Sequence, residues 1–328
     1  MEVTDHAAPS ASEVDRFDLV AIGETMVAFV SQGGSRRYLA VPAGAESNVA
    51  IGMAQLGCRT QWVSRLGADP LGRLIEESLV AAGVVVDLVR DTTRPTGVMT
   101  VHVGEAAERH TAYYRSQSAA VGMVPEDLRR AGPTSWIHVT GITPALSDSA
   151  AALVDRVLGR DGHDARVSFD INYRPALWPD GATAARVLLP LATAADVVFL
   201  GEDESTALFG TCDADALSDL ILRRNDQQLV LKRGPGAASV IESGRVTSER
   251  ALPAETLDVT GAGDAFVAGY LAASVFGWPL RERLRLGHVM GSRAVGTLEH
   301  TPPPFPTDEA SRISPEWLEA HWSVGAGS

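Results

Sequence analysis

Nine residues hold the densest chemistry in the chain: Asp258-Val259-Thr260-Gly261-Ala262-Gly263-Asp264-Ala265-Phe266, followed by an apolar run with helical spacing to Phe276. Two glycines permit a tight turn at a helix start, where free N–H groups and the helix dipole attract an anion. A carboxylate beside such a site repels a phosphate unless it has its own task, so Asp264 next to the turn points to a base and to phosphoryl transfer. Read as local structure alone, Gly261 to Asp264 is a helix cap with a first-turn acid. The spacing is neither that of a P-loop nor Gly-x-Gly-x-x-Gly, which leaves a Rossmann dinucleotide site with little support.

Other candidates stand where strands should end. Gly23-Glu24, Thr140-Gly141-Ile142-Thr143, Asp170-Ile171-Asn172-Tyr173-Arg174 and Lys232-Arg233-Gly234 each follow a short apolar run. Ligands of open α/β sheets bind outside the carboxyl ends of the strands, so these four clusters and the 261–264 turn describe one cleft. Taken singly, each is an ordinary loop start. Arg115 and Arg174 offer two guanidinium forks, which suit an acidic ligand better than a neutral one; the competing reading is two exposed surface arginines.

The elements that must position these residues follow from periodicity. Strands are predicted over 18–24, 60–66, 136–140, 166–171, 196–200 and 228–232. Helices are predicted over 71–82, 148–158, 182–192, 202–209, 214–224, after Gly263, and over 280–295. A further helix begins at Glu46 or Ser47 and stops at Gly57, and 238–246 reads as a hairpin. Two more hairpins, 26–41 and 97–115, interrupt the βα rhythm and are expected to form a small sheet of their own, a lid over the cleft or a dimer surface. The proline-rich 301–306 precedes a short terminal helix over 315–321. The expected fold is a doubly wound, mainly parallel α/β sheet with a β-sheet lid formed by about 26–42 and 96–118. Residues 1–15 read as a flexible tail to a domain spanning 16–328.

Composition sets bounds. The 328 residues carry a formal net charge of −13, which disfavours nucleic acid and anionic membranes as partners. Cys58 and Cys212 lack the spacing of a metal site and read as free thiols. The histidines show no metal spacing, and His138 in an apolar strand reads as a core residue. The sequence shows no secretory signal and no run of about 20 apolar residues, so a cytoplasmic protein is expected.

Asp258 to Phe266 resembles the C-terminal signature of the ribokinase-like, or PfkB, sugar kinases. Gly44-Ala45-Glu46-Ser47-Asn48-Val49-Ala50, with Leu56-Gly57 and Gly67 to Gly72, resembles their N-terminal signature. The resemblance implies an ATP- and Mg²⁺-dependent kinase with Asp264 as base and Gly261, Ala262 and Gly263 as the anion hole. It further implies Lys232 and Gly234 at the nucleotide, with the helix near His288 walling the adenine. Within the family, Tyr113 to Ala119, His138 to Ser147, Asp170 to Trp178 and Leu231 to Gly234 look like 2-keto-3-deoxygluconate kinases. That likeness implies a sugar acid held by Tyr113, Arg115 and Arg174, with Gly44 and Asn48 on its other side, and phosphorylated on its terminal hydroxyl. Ala28 agrees, since neutral-sugar kinases of the family carry an Asp there. The chain departs from the pattern at Ala43, at Met99, where some of these kinases have a tyrosine, and at Gly201, which leaves Glu204 as the one residue tied indirectly to the metal. Two alternatives stay open: fructokinase or another sugar kinase of the family, and a non-catalytic sugar-acid sensor on the same fold. Exposed lid edges make a homo-oligomer the expected state.

Overall fold

A computed structural model describes residues 16–32, 35–104, 109–297, 299–306 and 312–325; the tail expected over 1–15 lies outside the described residues. The chain opens with β1 (Phe17–Ile22), β2 (Met26–Gln32), β3 (Leu39–Ala43), α1 (Ala45–Gln55), β4 (Thr60–Gly67), α2 (Pro70–Ala81) and β5 (Val85–Asp91). After β6 (Val98–Val103) and β7 (Arg109–Tyr114) come β8 (Thr134–Thr140), α3 (Asp148–Leu158), β9 (Arg166–Asp170), α4 (Gly181–Ala194), β10 (Val197–Gly201), α5 (Glu202–Phe209) and α6 (Ala214–Ile221). The remainder is β11 (Gln228–Lys232), β12 (Ala237–Glu242), β13 (Arg245–Arg250), α7 (Ala262–Val275), α8 (Leu280–Ala294) and α9 (Pro315–Gly325).

Nine strands make one sheet in the order β13-β12-β11-β10-β9-β8-β1-β4-β5, parallel from β11 to β5, with β12 and β13 added antiparallel at one edge. The central strands are apolar almost throughout because helices cover both faces, as a parallel sheet requires. One core, around Trp62, Tyr270 and Phe199, lies under α1, α7 and α8; the other, around Phe169 and Ile137, lies under α3 and α4. Helix α7 is buried nearly all round, which its small residues permit.

The two hairpins join into a four-stranded sheet, β3-β2-β6-β7, through parallel pairing of β2 with β6. One face buries Met26, Ala28, Val30, Val41, Ala43, Met99 and Val101. Strand β5 is absent from the sequence reading. It is an edge strand and only partly buried, so its apolar periodicity is diluted. Helix α1 begins at Ala45 with Gly44 as its cap residue, ahead of the expected Glu46 or Ser47, because neither of those side chains caps it.

Candidate active site

The carboxyl ends of β9, β10 and β11, the segment after β1, the N-terminal ends of α1, α5 and α7, and the lid enclose a cleft of about 960 Å³. Gly44, Asn48, Tyr113, Arg115, Arg174, Glu204, Lys232, Gly234, Gly261, Gly263 and Asp264 all line it, so most of the residues singled out from the sequence converge. Ala262 and His288 are not in the wall; the Ala262 N–H donates to the Val259 carbonyl at 3.3 Å, a long bond.

Gly261 starts α7 at φ +77°, and a Cβ there would lie 1.8 Å from the His300 carbonyl oxygen. Only glycine fits this turn. Asp264 follows in the first helical turn and is buried. Its Oδ2 accepts from Asn48 Nδ2 at 2.8 Å and its Oδ1 from Asn172 Nδ2 at 3.4 Å. Burial pushes its pKa up to about 6; the Asn48 hydrogen bond opposes the rise and Asp170 adds to it. The Oδ1 atoms of Asn48 and Asn172 are themselves buried and find no partner among the described residues.

The first-turn N–H groups of Gly263 and Asp264 have no intrahelical acceptor, and both residues line the cleft. A Cβ at Gly263 would sit 3.6 Å from Lys232 Nζ, which places an ammonium at the same helix end. Lys232 donates to Asp170 Oδ2 at 2.6 Å. Burial disfavours its charge, but Asp170 and Glu204 outweigh that and raise its pKa, so the lysine stays cationic. Glu204 Oε2 accepts from the Gly201 N–H at 2.8 Å, and Oε1 lies 4.0 Å from Arg174 Nη1. Burial, with Asp170 adding, raises the pKa of Glu204. No cluster of three or more His, Cys, Asp or Glu among the described residues has the geometry to hold a metal.

The lid side differs from expectation at Arg115. Its guanidinium forms a buried ion pair with Glu24, whose other oxygen accepts from Ser118 Oγ at 2.6 Å. Sequence alone presented Arg115 as an available cation, because Glu24 is 91 residues away and the pairing becomes visible only when the lid sheet forms and brings the turn after β7 to the segment between β1 and β2. Arg174, with a side chain 48 % exposed, is held more loosely. Tyr113 is half exposed, its ring 5.9 Å from the Arg115 guanidinium carbon. Ala28 is fully buried opposite Met99 in the apolar lid face, so no acid stands there. A Cβ at Gly44 would meet the Glu24 carbonyl at 2.4 Å.

Three further residues escaped the sequence reading as site residues. Asp170 and Asn172 lay in a recognised strand-end cluster without an assigned role. Glu46 lay in a helix-start motif, where it was read as a start signal. It is fully buried, and its Oε1 accepts from Thr140 Oγ1 at 2.7 Å and Thr143 Oγ1 at 2.8 Å. Gly23 leaves it room: a Cβ there would be 2.1 Å from the Glu46 carboxyl carbon. Burial above all pushes the Glu46 pKa up to about 7, against the two threonine hydrogen bonds. His288 does not wall this cleft. It packs edge-on against Phe266 at 5.2 Å and bonds the Glu249 carbonyl at 3.1 Å. His138 is a core residue, as expected, bonded to Ser168 Oγ at 2.9 Å.

Sheet order, lid and the turn at the start of α7 together define a carbohydrate kinase. The chain belongs to the pfkB family of carbohydrate kinases, whose family model matches residues 16–308. It is 33 % identical to the 2-dehydro-3-deoxygluconokinase of Bacillus subtilis, over 85 % of this chain and 90 % of that protein. It is 36 % identical to the 2-dehydro-3-deoxygluconokinase of Thermoproteus tenax, over 78 % and 81 % respectively. Among solved structures, a fructokinase with bound ATP from Xylella fastidiosa superposes with a TM-score of 0.80 at 26 % identity, covering 93 % of this chain and 99 % of that one.

Proposed function

We propose that this kinase transfers the γ-phosphate of ATP to the terminal hydroxyl of 2-keto-3-deoxygluconate, also called 2-dehydro-3-deoxygluconate. The observation that carries the reading is the placement of Arg174 in the same cleft as Asp264. It is near enough to oppose part of the rise that burial causes in that carboxylate's pKa. An acid bound at Arg174 by its carboxylate end would thereby present its far hydroxyl toward the base. The two named relatives support the same acceptor.

In this reading Asp264 takes the proton of the attacking hydroxyl, and its pKa of about 6 suits a base working near neutrality. Asn48 and Asn172 orient it. The Gly263 and Asp264 amides, supplemented by Lys232 Nζ at the same helix end, would meet the charge that develops on the transferred group. Lys232 and Gly234 border the nucleotide. A divalent ion such as Mg²⁺ would have to be carried mainly by nucleotide phosphates and water, a mode that suits Mg²⁺. The residues present fit that mode: Asp170 is committed to Lys232, and Glu204, which lines the cleft, has Oε2 held by the Gly201 N–H and Oε1 4.0 Å from Arg174 Nη1. When bound, the ion would neutralise phosphate charge.

A second acceptor, fructose, is favoured by one observation, the neutralisation of Arg115 by Glu24, which leaves the site less cationic than the sequence implies. Arg174→Ala separates the two. The expected result is a KM for the acid raised at least about tenfold, with the KM for fructose within about twofold of wild type. Equal changes for both acceptors contradict the acid reading.

A further inference from the structure

We infer that Glu24 sets how strongly this site selects an acid, by cancelling the charge of Arg115 and leaving the selection to Arg174. The inference rests on the acceptor reading above. Glu24 lies just beyond β1, and both of its carboxylate oxygens are committed to the turn that follows β7, one to Arg115 Nη2 and one to Ser118 Oγ at 2.6 Å. The side chains of Arg115 and Glu24 are only 9 % and 1 % exposed, yet both line the cleft. Buried charges are weakly screened, so a ligand carboxylate senses both members of the pair, and the repulsion of Glu24 offsets part of the attraction of Arg115.

Arg174 is different. It is about half exposed, 4.0 Å from Glu204 Oε1 and 3.4 Å from the Tyr173 carbonyl, contacts that leave most of its guanidinium fork for a ligand. Arg115 retains a buried Nε–H without a hydrogen-bond partner among the described residues. That atom is closed off from the cleft, so it favours neither a hydroxyl nor a carboxylate. Arg115 thus serves acceptors of either kind, and Arg174 distinguishes between them.

A competing role for Glu24 is a latch that ties the lid to β1. A latch alters turnover of every acceptor alike, whereas a charge-cancelling residue alters the ratio between an acid and a neutral sugar. The test measures kcat/KM for 2-keto-3-deoxygluconate and for fructose, or the inhibition constant of whichever is not turned over, in three proteins. In Glu24→Gln the acid-to-fructose ratio should rise at least about tenfold over wild type, because the charge of Arg115 is uncovered. A ratio that is unchanged or lower overturns the inference. The double variant Glu24→Gln/Arg115→Gln leaves no uncompensated buried charge and remains readable should the single variant fail to fold. Its ratio should stay within about fivefold of wild type; a larger fall would return acid selection to Arg115 and overturn the inference. An acid that binds only in Glu24→Gln would overturn the acceptor reading and support the role of Glu24, so the two failures are distinguishable.

Discussion

Asp264 joins two demands that oppose each other. A base must be buried to be positioned and partly desolvated, and burial raises its pKa to about 6. Turnover should therefore fall as pH drops through about 6, where Asp264 takes up a proton, in a kcat profile measured with saturating ATP. Asp264→Asn should lose at least about 10²-fold in kcat. Stability has the opposite sign. A folded-state pKa above the ordinary 3.8 means that the group favours folding below about pH 4 and that this contribution is lost as pH rises through 6. Asp264→Asn is consequently expected to melt no lower than wild type at pH 8 while being nearly inactive. A variant that loses stability together with activity would mark Asp264 as a structural residue. The turn and its carboxylate were legible in the sequence because both lie within four consecutive positions. Asn172 and Glu24 were not, because their partners Asp264 and Arg115 are 92 and 91 residues away and only the fold brings them together.

Helix α1 carries its own version of the same conflict. Its first turn buries Glu46 against Thr140 and Thr143 at the end of β8, and its next exposes Asn48 to the cleft. The Glu46 pKa, raised by burial from 4.5 to about 7, implies stability present below about pH 4.5 and lost as pH rises through 7. Glu46→Gln keeps an acceptor for the two threonines and removes the charge. It should raise the melting temperature at pH 8, by up to roughly 3 kcal/mol of stability, with the gain vanishing toward pH 4.5. An equal shift at both pH values would rule out titration as the cause. The α7 turn makes a steric prediction. Gly261→Ala adds a methyl group where the His300 carbonyl already stands, at a φ that costs about 1–3 kcal/mol for other residues. Loss of turnover and a lower melting temperature should appear together. Helix α3, with a strong apolar period, was read from the sequence with the boundaries observed, because its Ser147 cap and its apolar stripe agree. The half-buried edge strand β5 gave no such agreement and was missed.

At the scale of the molecule, alternating strands and helices announced the parallel sheet, and the two interrupting hairpins announced the small sheet over its cleft. A chain with net charge −13 must gather its positive groups locally if it is to bind ATP and an acid together, and Lys232, Arg174 and Arg115 line one cleft. What remained hidden was the pairing of charges inside that cleft. Asp170 holds Lys232 and Glu24 holds Arg115, so a count of arginines overstates the charge an acceptor meets. The most direct test of the whole account is ADP release by the wild-type protein with ATP, Mg²⁺ and a panel of 2-keto-3-deoxygluconate, its galactonate epimer, fructose, ribose and nucleosides. The highest kcat/KM is expected for the keto-deoxy acids, with the phosphate on the terminal hydroxyl; equal or faster turnover of fructose or ribose would rule out an acid as the preferred acceptor.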